Sequence, residues 1–345
     1  MYMTIISIKN DAMNLTEPRP NDEQLDELAY AAIELYALPA DLDLKLVNLS
    51  ENATFVVRSP SGKRWALRIH RQGYHSKLAI ASELQWLKDL RKSDVAITPI
   101  PVKGLDGEMI QTISHPNLPH TRHVVLFEWE TGAEPSMSQN LIPIFNRLGE
   151  ATARLHLHSK NWHRPPWFTR LTWDFETSLG ERDPHWGRWR DGMAVDAAKE
   201  KLFERTVIQI GKRLKTYGKS SDRFGLIHGD LRLANLLVDD NTLKIIDFDD
   251  CGIGWYMYDA ATPISFYEHE PQVPELIEAW IEGYRRAKVL SKEDETEIPT
   301  FIMLRRLLLV AWIGSHHQTD LAKSMGKTYT DGSVELCEKY LKHFS

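Results

Sequence analysis

The stretch that decides the fold is residues 226–238, which read LIHGDLRLANLLV. An apolar pair leads into His228-Gly229-Asp230, and Asn235 follows Asp230 by five positions. A polar turn at residues 239–242 separates this stretch from a second apolar run, 243–246, which ends at Asp247. The pattern predicts a loop rich in polar side chains followed directly by a β-hairpin.

The register of this hairpin suggests a metal site. If the turn is centred on Asn241, residues pair when their numbers sum to 482, and Asn235 then faces Asp247. Directly opposed residues have Cβ atoms roughly 4.5–5.5 Å apart, so two oxygen ligands there can share Mg²⁺, which completes its octahedron with water and phosphate. A slip of one residue would undo this pairing. Asp230, in the loop before the hairpin, is placed to orient a substrate hydroxyl and accept its proton, as phosphoryl transfer requires.

The motif has the spacing of the protein-kinase catalytic loop, H-x-D-x-x-x-x-N, followed by an aspartate at the end of the next hairpin. From about residue 48 to residue 283 the chain resembles the aminoglycoside phosphotransferase/choline kinase-like superfamily. Within it, the chain is most similar to the bacterial Ser/Thr-kinase-like and homoserine-kinase-like branch. The resemblance implies an α+β, two-lobed protein-kinase-like fold, with an antiparallel sheet plus helix in the N-lobe and a mainly helical C-lobe. It also implies ATP and Mg as cofactors.

The resemblance assigns roles to individual residues. Asp230 would be the catalytic base, and Asn235 and Asp247 would be the magnesium ligands. The nucleotide would be bound by Arg68 as the phosphate anchor in place of lysine, Glu83 as its helix partner, Glu128 and Trp129 at the adenine hinge, and Asn52 in the covering loop. That loop contains no glycine, which departs from the family pattern.

The hydrophobic pattern around Glu83 favours a cationic partner for its carboxylate. Residues 52–71 predict a hairpin that carries Arg68, and residues 76–90 predict a helix. Ile80, Glu83, Leu84 and Leu87 fall on one helical face, so Glu83 lies on an apolar stripe where an unpaired carboxylate is costly. Two interpretations remain: Glu83 pairs with Arg68, or it occupies the edge of the stripe and reaches water.

Composition limits the class of protein. The chain has 345 residues, a net charge of −6 and two cysteines, which argues against a nucleic-acid partner and a disulfide framework. No apolar run reaches the roughly 18 residues of a membrane span, and no signal peptide is expected, which together favour a cytoplasmic protein without a membrane partner. We expect a loosely ordered leader over 1–20, an N-terminal nucleotide-binding lobe over 21–130 and a C-terminal catalytic and substrate lobe over 131–345.

Other candidate sites are weaker. Residues 159–189 hold five of the eleven tryptophans and predict an irregular insert or short helices packed over the C-lobe. His156 and His158 point to different helix faces, so together with His163 they do not form a zinc site. We interpret Cys251 as a small packing residue.

Three functions fit the motif: a small-molecule kinase, a protein Ser/Thr kinase and a non-catalytic nucleotide-binding module. The complete set of Asp230, Asn235 and Asp247 disfavours the module. Only about ten residues separate Asp247 from the next predicted helix, with a turn at 251–254, which is too few for a peptide platform and favours a small hydroxylated acceptor. If acidic side chains converge beside the site, a cationic acceptor such as an amino alcohol is favoured; the candidates are Asp174, Glu176, Asp249, Asp250 and Glu268.

Overall fold

The structure is a computed structural model that describes residues 20–345, and it divides into two compact units. The first unit contains the residues up to Lys77 and Lys103–Leu126, and the second contains Leu78–Val102 and Phe127–Ser345. The leader predicted over 1–20 lies outside the described residues, apart from Pro20. The segment 78–102 thus groups with the C-terminal part of the chain.

The first unit opens with helix α1 (Asp22–Ile33). Asn21 caps it in a reciprocal capping box: its side chain accepts from the Gln24 backbone N–H, and the Gln24 side chain accepts from the Asn21 backbone N–H. The buried face of α1 includes Leu25, Leu28 and Ile33. This apolar stripe follows the helical period and anchors the helix in the core of the unit.

A five-stranded sheet forms most of the first unit. In chain order its strands are β1 (Asp43–Leu49), β2 (Ala53–Arg58), β3 (Arg64–Ile69), β4 (Gln111–Ile113) and β5 (Arg122–Glu128), and their spatial order is β1-β2-β3-β5-β4. The β1–β2, β2–β3 and β4–β5 pairs are antiparallel. The predicted hairpin over 52–71 is confirmed, and Trp65, Leu67 and Ile69 are buried as alternation along one face requires.

Helix α2 (Lys77–Lys92) confirms the predicted apolar stripe and lies, from Leu78 on, in the second unit. Ile80, Glu83, Leu84 and Leu87 are all buried. Glu83 is only 1% exposed, so it does not occupy an open edge of the stripe where its carboxylate could simply reach water.

The rest of the second unit is mainly helical. Its helices are α3 (Ile142–Asn161), α4 (Phe175–Leu179), α5 (Ala197–Tyr217), α6 (Tyr258–Ala261), α7 (Val273–Ala287), α8 (Lys292–Ser315) and α9 (Asp320–His343). Helices α3 and α7 approach so closely at Gly283 that a Cβ there would lie 1.7 Å from the Asn146 carbonyl oxygen. Within the described part of the chain, α8 alone is long and apolar enough to cross a membrane, but 78% of its apolar window is buried inside the protein.

Two small sheets complete the second unit. Strands β6 (Leu171–Trp173), β7 (Phe224–Ile227) and β10 (Gly252–Trp255) form a sheet in the order β6-β10-β7, and β8 (Leu236–Asp239) pairs with β9 (Thr242–Ile245). The predicted turn at 251–254 is therefore wrong in large part, because residues 252–255 form the central strand. Glycine is needed there for close packing: a Cβ on Gly252 would lie 2.5 Å from the Leu171 carbonyl oxygen.

The segment 159–189 is mainly irregular with one short helix, as the sequence predicts, but it also contributes a strand that the sequence did not indicate. It contains the end of α3, strand β6 and the short helix α4. Strand β6 pairs in parallel with β10, which lies about 80 residues later in the sequence. The predicted fold class, an α+β kinase-like fold with an N-terminal antiparallel sheet and a mainly helical C-terminal part, is confirmed.

Candidate active site

A tight loop between β7 and β8 carries Asp230. Gly229 has φ +82°, a left-handed conformation that glycine adopts without strain. A Cβ at this position would also lie 2.8 Å from the Asp250 carbonyl oxygen. The loop can therefore pass close to the segment that follows Asp247 only with glycine before Asp230.

Asp259 holds this loop in place by two hydrogen bonds to its backbone. Its Oδ2 accepts from the His228 backbone N–H at 3.0 Å, and its Oδ1 accepts from the Gly229 backbone N–H at 2.8 Å. Behind it, His156 Nε2 lies 3.1 Å from Asp259 Oδ2, and His156 Nδ1 lies 2.9 Å from the Tyr284 hydroxyl. Asp259 and His156 are completely buried, so this chain of bonds fixes the loop from the protein interior.

His228 has a structural role in the loop. Its Nδ1 accepts from the Asp230 backbone N–H at 3.2 Å, which leaves Nε2 as the donor to the Ile246 carbonyl at 3.2 Å. Burial lowers the pKa of His228, so the neutral form that this bonding pattern requires is favoured. The imidazole thus ties the loop that carries Asp230 to the end of strand β9.

Three side chains surround the Asp230 carboxylate. Arg232 Nε donates to both of its oxygens, at 3.1 and 3.0 Å, and Asn235 Nδ2 donates to Oδ2 at 2.8 Å. Arg305, from the middle of α8, donates from Nη2 to Oδ1. Burial alone would raise the pKa of Asp230, but the charges of Arg232 and Arg305 outweigh it and hold the pKa below its usual value. Asp230 is therefore a carboxylate at neutral pH.

The Arg305 guanidinium also donates hydrogen bonds to two other side chains. It is 2% exposed, and it donates from Nη1 to the Tyr258 hydroxyl at 3.0 Å and from Nε to Ser265 Oγ at 3.1 Å. No motif in the sequence assigns a role to Arg305 or Arg232. The sequence does contain a signal for a buried ion pair at Arg305. Arg305-Arg306 interrupts a strongly apolar stretch, and a charge buried in such a helix needs a partner.

The predicted register of the β8–β9 hairpin is wrong by one residue. The strands pair Leu236 with Ile245 and Asp239 with Thr242, so paired numbers sum to 481. Asn235 therefore lies opposite Ile246, whose N–H donates to the Asn235 carbonyl at 2.9 Å, and not opposite Asp247. The turn is centred between Asp240 and Asn241, with Asp240 at φ +51°. Short hairpin turns favour Asp and Asn at such positions.

Asp247 lies just beyond strand β9 with φ +57°, so the chain turns sharply after the hairpin. Burial lowers the pKa of Arg232, the charge of Asp230 raises it above its usual value, and Asp247 is close enough to add a smaller contribution in the same direction. Asn235 uses its amide nitrogen twice on Asp230, once on Oδ2 and once on the backbone carbonyl, each at 2.8 Å. Its side-chain oxygen remains as an acceptor. An amide oxygen and a carboxylate form a donor set that fits Mg²⁺.

The residues assigned to the nucleotide fall in both units. Asn52 and Arg68 belong to the first unit, where the Asn52 side chain accepts from the Arg71 backbone N–H at 3.1 Å and Arg68 lies on β3 opposite Thr54. Glu83, Glu128 and Trp129 belong to the second unit. The Glu128 backbone N–H donates to the Ile100 carbonyl at 2.9 Å. Pairing of Arg68 with Glu83 stays a prediction.

The acidic candidates for substrate binding have separate environments. Asp174 caps α4 and binds Lys219 at 2.7 Å, while Glu176 is exposed. Glu268 is buried and binds Arg306 at 2.6 Å and the Tyr329 hydroxyl at 3.0 Å. Asp249 and Asp250 are buried directly after Phe248, and Asp250 is close enough to Arg305 to contribute to its raised pKa. Asp250 is thus an acidic candidate close to the Asp230 cluster.

Two further sequence interpretations can be compared with the structure. Cys251 is completely buried, and burial raises the pKa of its thiol to about 12, so it is a packing residue as expected. His158 lies 3.2 Å from Asp89 Oδ2 and accepts from Trp86 Nε1 at 3.3 Å. This histidine therefore joins α3 to α2.

The fold and the loop around Asp230 define a kinase-like phosphotransferase. Residues 43–294 match the model of the Phosphotransferase enzyme family, and the chain belongs to this family. The predicted superfamily and enzyme class are thereby confirmed.

Three relatives illustrate the range of the family. Amicoumacin kinase of Bacillus subtilis (strain 168) is 25% identical over 249 residues, which cover 69% of this chain and 70% of that protein. A solved structure of the microcompartment-associated aminopropanol kinase is 43% identical, with a TM-score of 0.85 over 92% of this chain and 98% of that chain. A second amicoumacin kinase, solved with AMP-PNP, Ca²⁺ and Ami, is 21% identical with a TM-score of 0.74, covers 92% and 94% of the two chains, and supports the fold alone.

Proposed function

We propose that this protein transfers the γ-phosphate of Mg·ATP to the hydroxyl group of a small amino alcohol of the aminopropanol type. The observation that carries the acceptor class is the 43% identity to the aminopropanol kinase across 92% of the chain. Asp250, an acidic side chain close to the Asp230 cluster, offers a partner for the ammonium group of such an acceptor. Asp249 is the second acidic candidate, with Asp174 and Glu268 further candidates that already have cationic partners.

In the proposed reaction, the acceptor oxygen forms a bond to the γ-phosphorus while the bond from that phosphorus to the β–γ bridging oxygen breaks. Asp230 orients the acceptor hydroxyl and takes its proton, because it is ionised and its position is fixed by three side chains. Asn235 and Asp247 would hold Mg²⁺, which neutralises charge on the phosphates. Asn52, Arg68, Glu83, Glu128 and Trp129 are proposed to bind the nucleotide.

The length of the chain after Asp247 supports a small acceptor. Helix α6 begins at Tyr258, and residues 252–255, which lie between Asp247 and this helix, form strand β10. The intervening segment is thus packed within a sheet and has no room for a peptide-binding platform of the protein-kinase type. A protein Ser/Thr kinase is the alternative function, and a non-catalytic nucleotide-binding module is the second alternative. We propose a cytoplasmic location for the enzyme.

The test compares matched acceptors. ADP release is measured with ATP and Mg²⁺ in the presence of aminopropanol, ethanolamine, choline, or 1,2-propanediol, which keeps a hydroxyl but lacks the ammonium group. We expect kcat/KM to be highest for an amino alcohol and at least about tenfold lower for the diol, since a paired charge contributes more than about 1.4 kcal/mol. Equal turnover of aminopropanol and the diol would contradict the proposed acceptor class.

A further inference from the structure

Arg170, just before strand β6, and Trp173, at its end, hold the loop that follows Asp247. The Asp249 carbonyl accepts from Arg170 Nη2, the Asp250 carbonyl accepts from Trp173 Nε1 at 2.7 Å, and the Cys251 carbonyl accepts from Arg170 Nε at 2.7 Å. Three consecutive backbone carbonyls are thus bound by two side chains of one short segment. The backbone just after Asp247 is fixed from outside its own hairpin.

The same guanidinium also reaches helix α2. Arg170 Nη1 donates to the Ala79 carbonyl at 3.0 Å, and the neighbouring Thr169 backbone N–H donates to Ser82 Oγ at 2.9 Å. Ala79 lies one helical turn before Glu83. One side chain therefore binds both the helix that carries Glu83 and the loop that follows Asp247.

The chemistry of this contact requires arginine. Arg170 is 9% exposed, so its charge needs several partners to offset the loss of hydration. Burial lowers the pKa of Arg170, but Cys251, Glu83, Asp249 and Asp250 outweigh it, and the group stays charged. The planar guanidinium presents five N–H donors in fixed directions and can span carbonyls on two elements, whereas lysine offers a single ammonium.

We propose that Arg170 is a positioning residue that joins helix α2 to the loop 248–251 and so couples the position of Glu83 to that of Asp247. The grouping of α2 with the second unit, and not with the sheet that precedes it in the chain, agrees with this coupling. The coupling itself stands on the contacts of Arg170, and only its effect on catalysis rests on the proposed function.

The first measurement is hydrogen–deuterium exchange on the full-length protein. In Arg170→Lys, backbone amides of both 78–92 and 248–255 should exchange about tenfold faster or more, because charged hydrogen bonds are lost at both ends. Trp173→Phe removes the bond to the Asp250 carbonyl and leaves the contacts of Arg170 in place, so it should deprotect 248–255 and leave 78–92 unchanged. Arg213→Lys, which alters a partly buried pair with Glu297 on α8, is the matched control and should affect neither segment.

The second measurement is the concentration of Mg²⁺ that gives half-maximal ATP turnover. Residues that position the metal ligands without binding the metal themselves typically change metal affinity by about 10–100-fold when substituted. Arg170→Lys should therefore raise the half-maximal Mg²⁺ concentration by a factor within that range. The KM for the acceptor should stay within about twofold of the unsubstituted protein, because Arg170 is argued to act through Asp247 and Glu83. A purely structural role would not produce this split.

The outcomes are distinct. Parallel loss of protection in both segments, together with the shift in Mg²⁺ dependence, supports the coupling. Unchanged protection, or deprotection of one segment only in Arg170→Lys, overturns it. Deprotection of both segments with unchanged Mg²⁺ dependence also overturns the positioning role. If the unsubstituted protein shows no Mg·ATP turnover with any acceptor, the proposed function fails, while the exchange data still decide the coupling.

Discussion

Arg305 Nη2 donates to Oδ1 of Asp230, so a cation buried in the middle of α8 is fixed to the carboxylate that we assign to catalysis. Both side chains are almost fully buried. The contact links a long apolar helix to the loop between β7 and β8. The position of the Asp230 carboxylate thus depends on a residue 75 positions away in the sequence.

The first prediction concerns this pair. Arg305→Gln should lower the free energy of unfolding by about 3 kcal/mol, because it leaves a buried carboxylate with one fewer cation. Arg305→Lys keeps the charge and should lose less stability, yet it cannot serve Asp230, Tyr258 and Ser265 together, so kcat should still fall. Urea unfolding and steady-state turnover measure the two effects. Equal stability of the Gln variant and the unsubstituted protein would refute the assigned importance of this pair.

The second prediction concerns the two residues proposed to hold Mg²⁺. Asn235→Ala and Asp247→Ala should both raise the Mg²⁺ concentration needed for half-maximal turnover, and Asp247→Ala more strongly because it removes a full charge. Asn241→Ala, in the exposed turn of the same hairpin, is the control and should behave like the unsubstituted protein. A structure with Mg²⁺ and a nucleotide analogue in which neither side chain touches the ion would remove these two residues from the metal site.

The third prediction concerns Arg68 and Glu83. If they act as a pair, the effects of Arg68→Met and Glu83→Gln on ATP affinity should not add, and the double variant should bind ATP about as weakly as the weaker single variant. Coupling energies between interacting residues are typically about 0.5–3 kcal/mol. Calorimetric titration of the two single variants and the double variant with ATP measures the coupling. Strict additivity would show that the two residues act separately.

The fourth prediction concerns His156. Burial lowers the pKa of His156, so the folded state keeps it neutral while the unfolded state takes up a proton below about pH 6.5. Stability should therefore fall as the pH drops from 6.5 toward 5, since the unfolded state binds more protons there. In His156→Gln the melting temperature should depend less steeply on pH over this window. The exposed His163→Gln is the control, and an equally steep dependence in both variants would contradict the assignment.

Sequence reasoning found the elements that carry local signals. The hairpin over 52–71, the stripe of α2 and the Asp230–Asn235 spacing are encoded within short windows, and the structure reproduces the first two and holds Asn235 against Asp230. The predicted register of the β8–β9 hairpin is wrong by one residue, because the turn-forming residues Asp239–Asn241 allow the turn to be centred at more than one position.

Long-range contacts were beyond a single sequence. Strand β6 is three residues long, and its partner β10 lies far away in the sequence. The glycines of β10 indicate a turn when only the sequence is considered, but in the structure they allow close packing between strands. Arg170 and Arg305 bind partners 40 to 91 residues distant in the sequence, and no local periodicity identifies such partners.

The central claim is that Asp230 directs phosphate from ATP to a small alcohol. One incubation tests it: γ-labelled ATP, Mg²⁺, aminopropanol and a generic protein mixture are combined, and the label is counted in the small-molecule and protein fractions. We predict one phosphorylated amino alcohol per ADP, loss of transfer with EDTA, and a fall of about 10²–10⁴-fold in Asp230→Asn with ATP binding retained. Asp240→Asn, in the exposed hairpin turn, should transfer normally. Label in protein Ser or Thr without small-molecule turnover, or near-normal turnover in Asp230→Asn, would contradict the account.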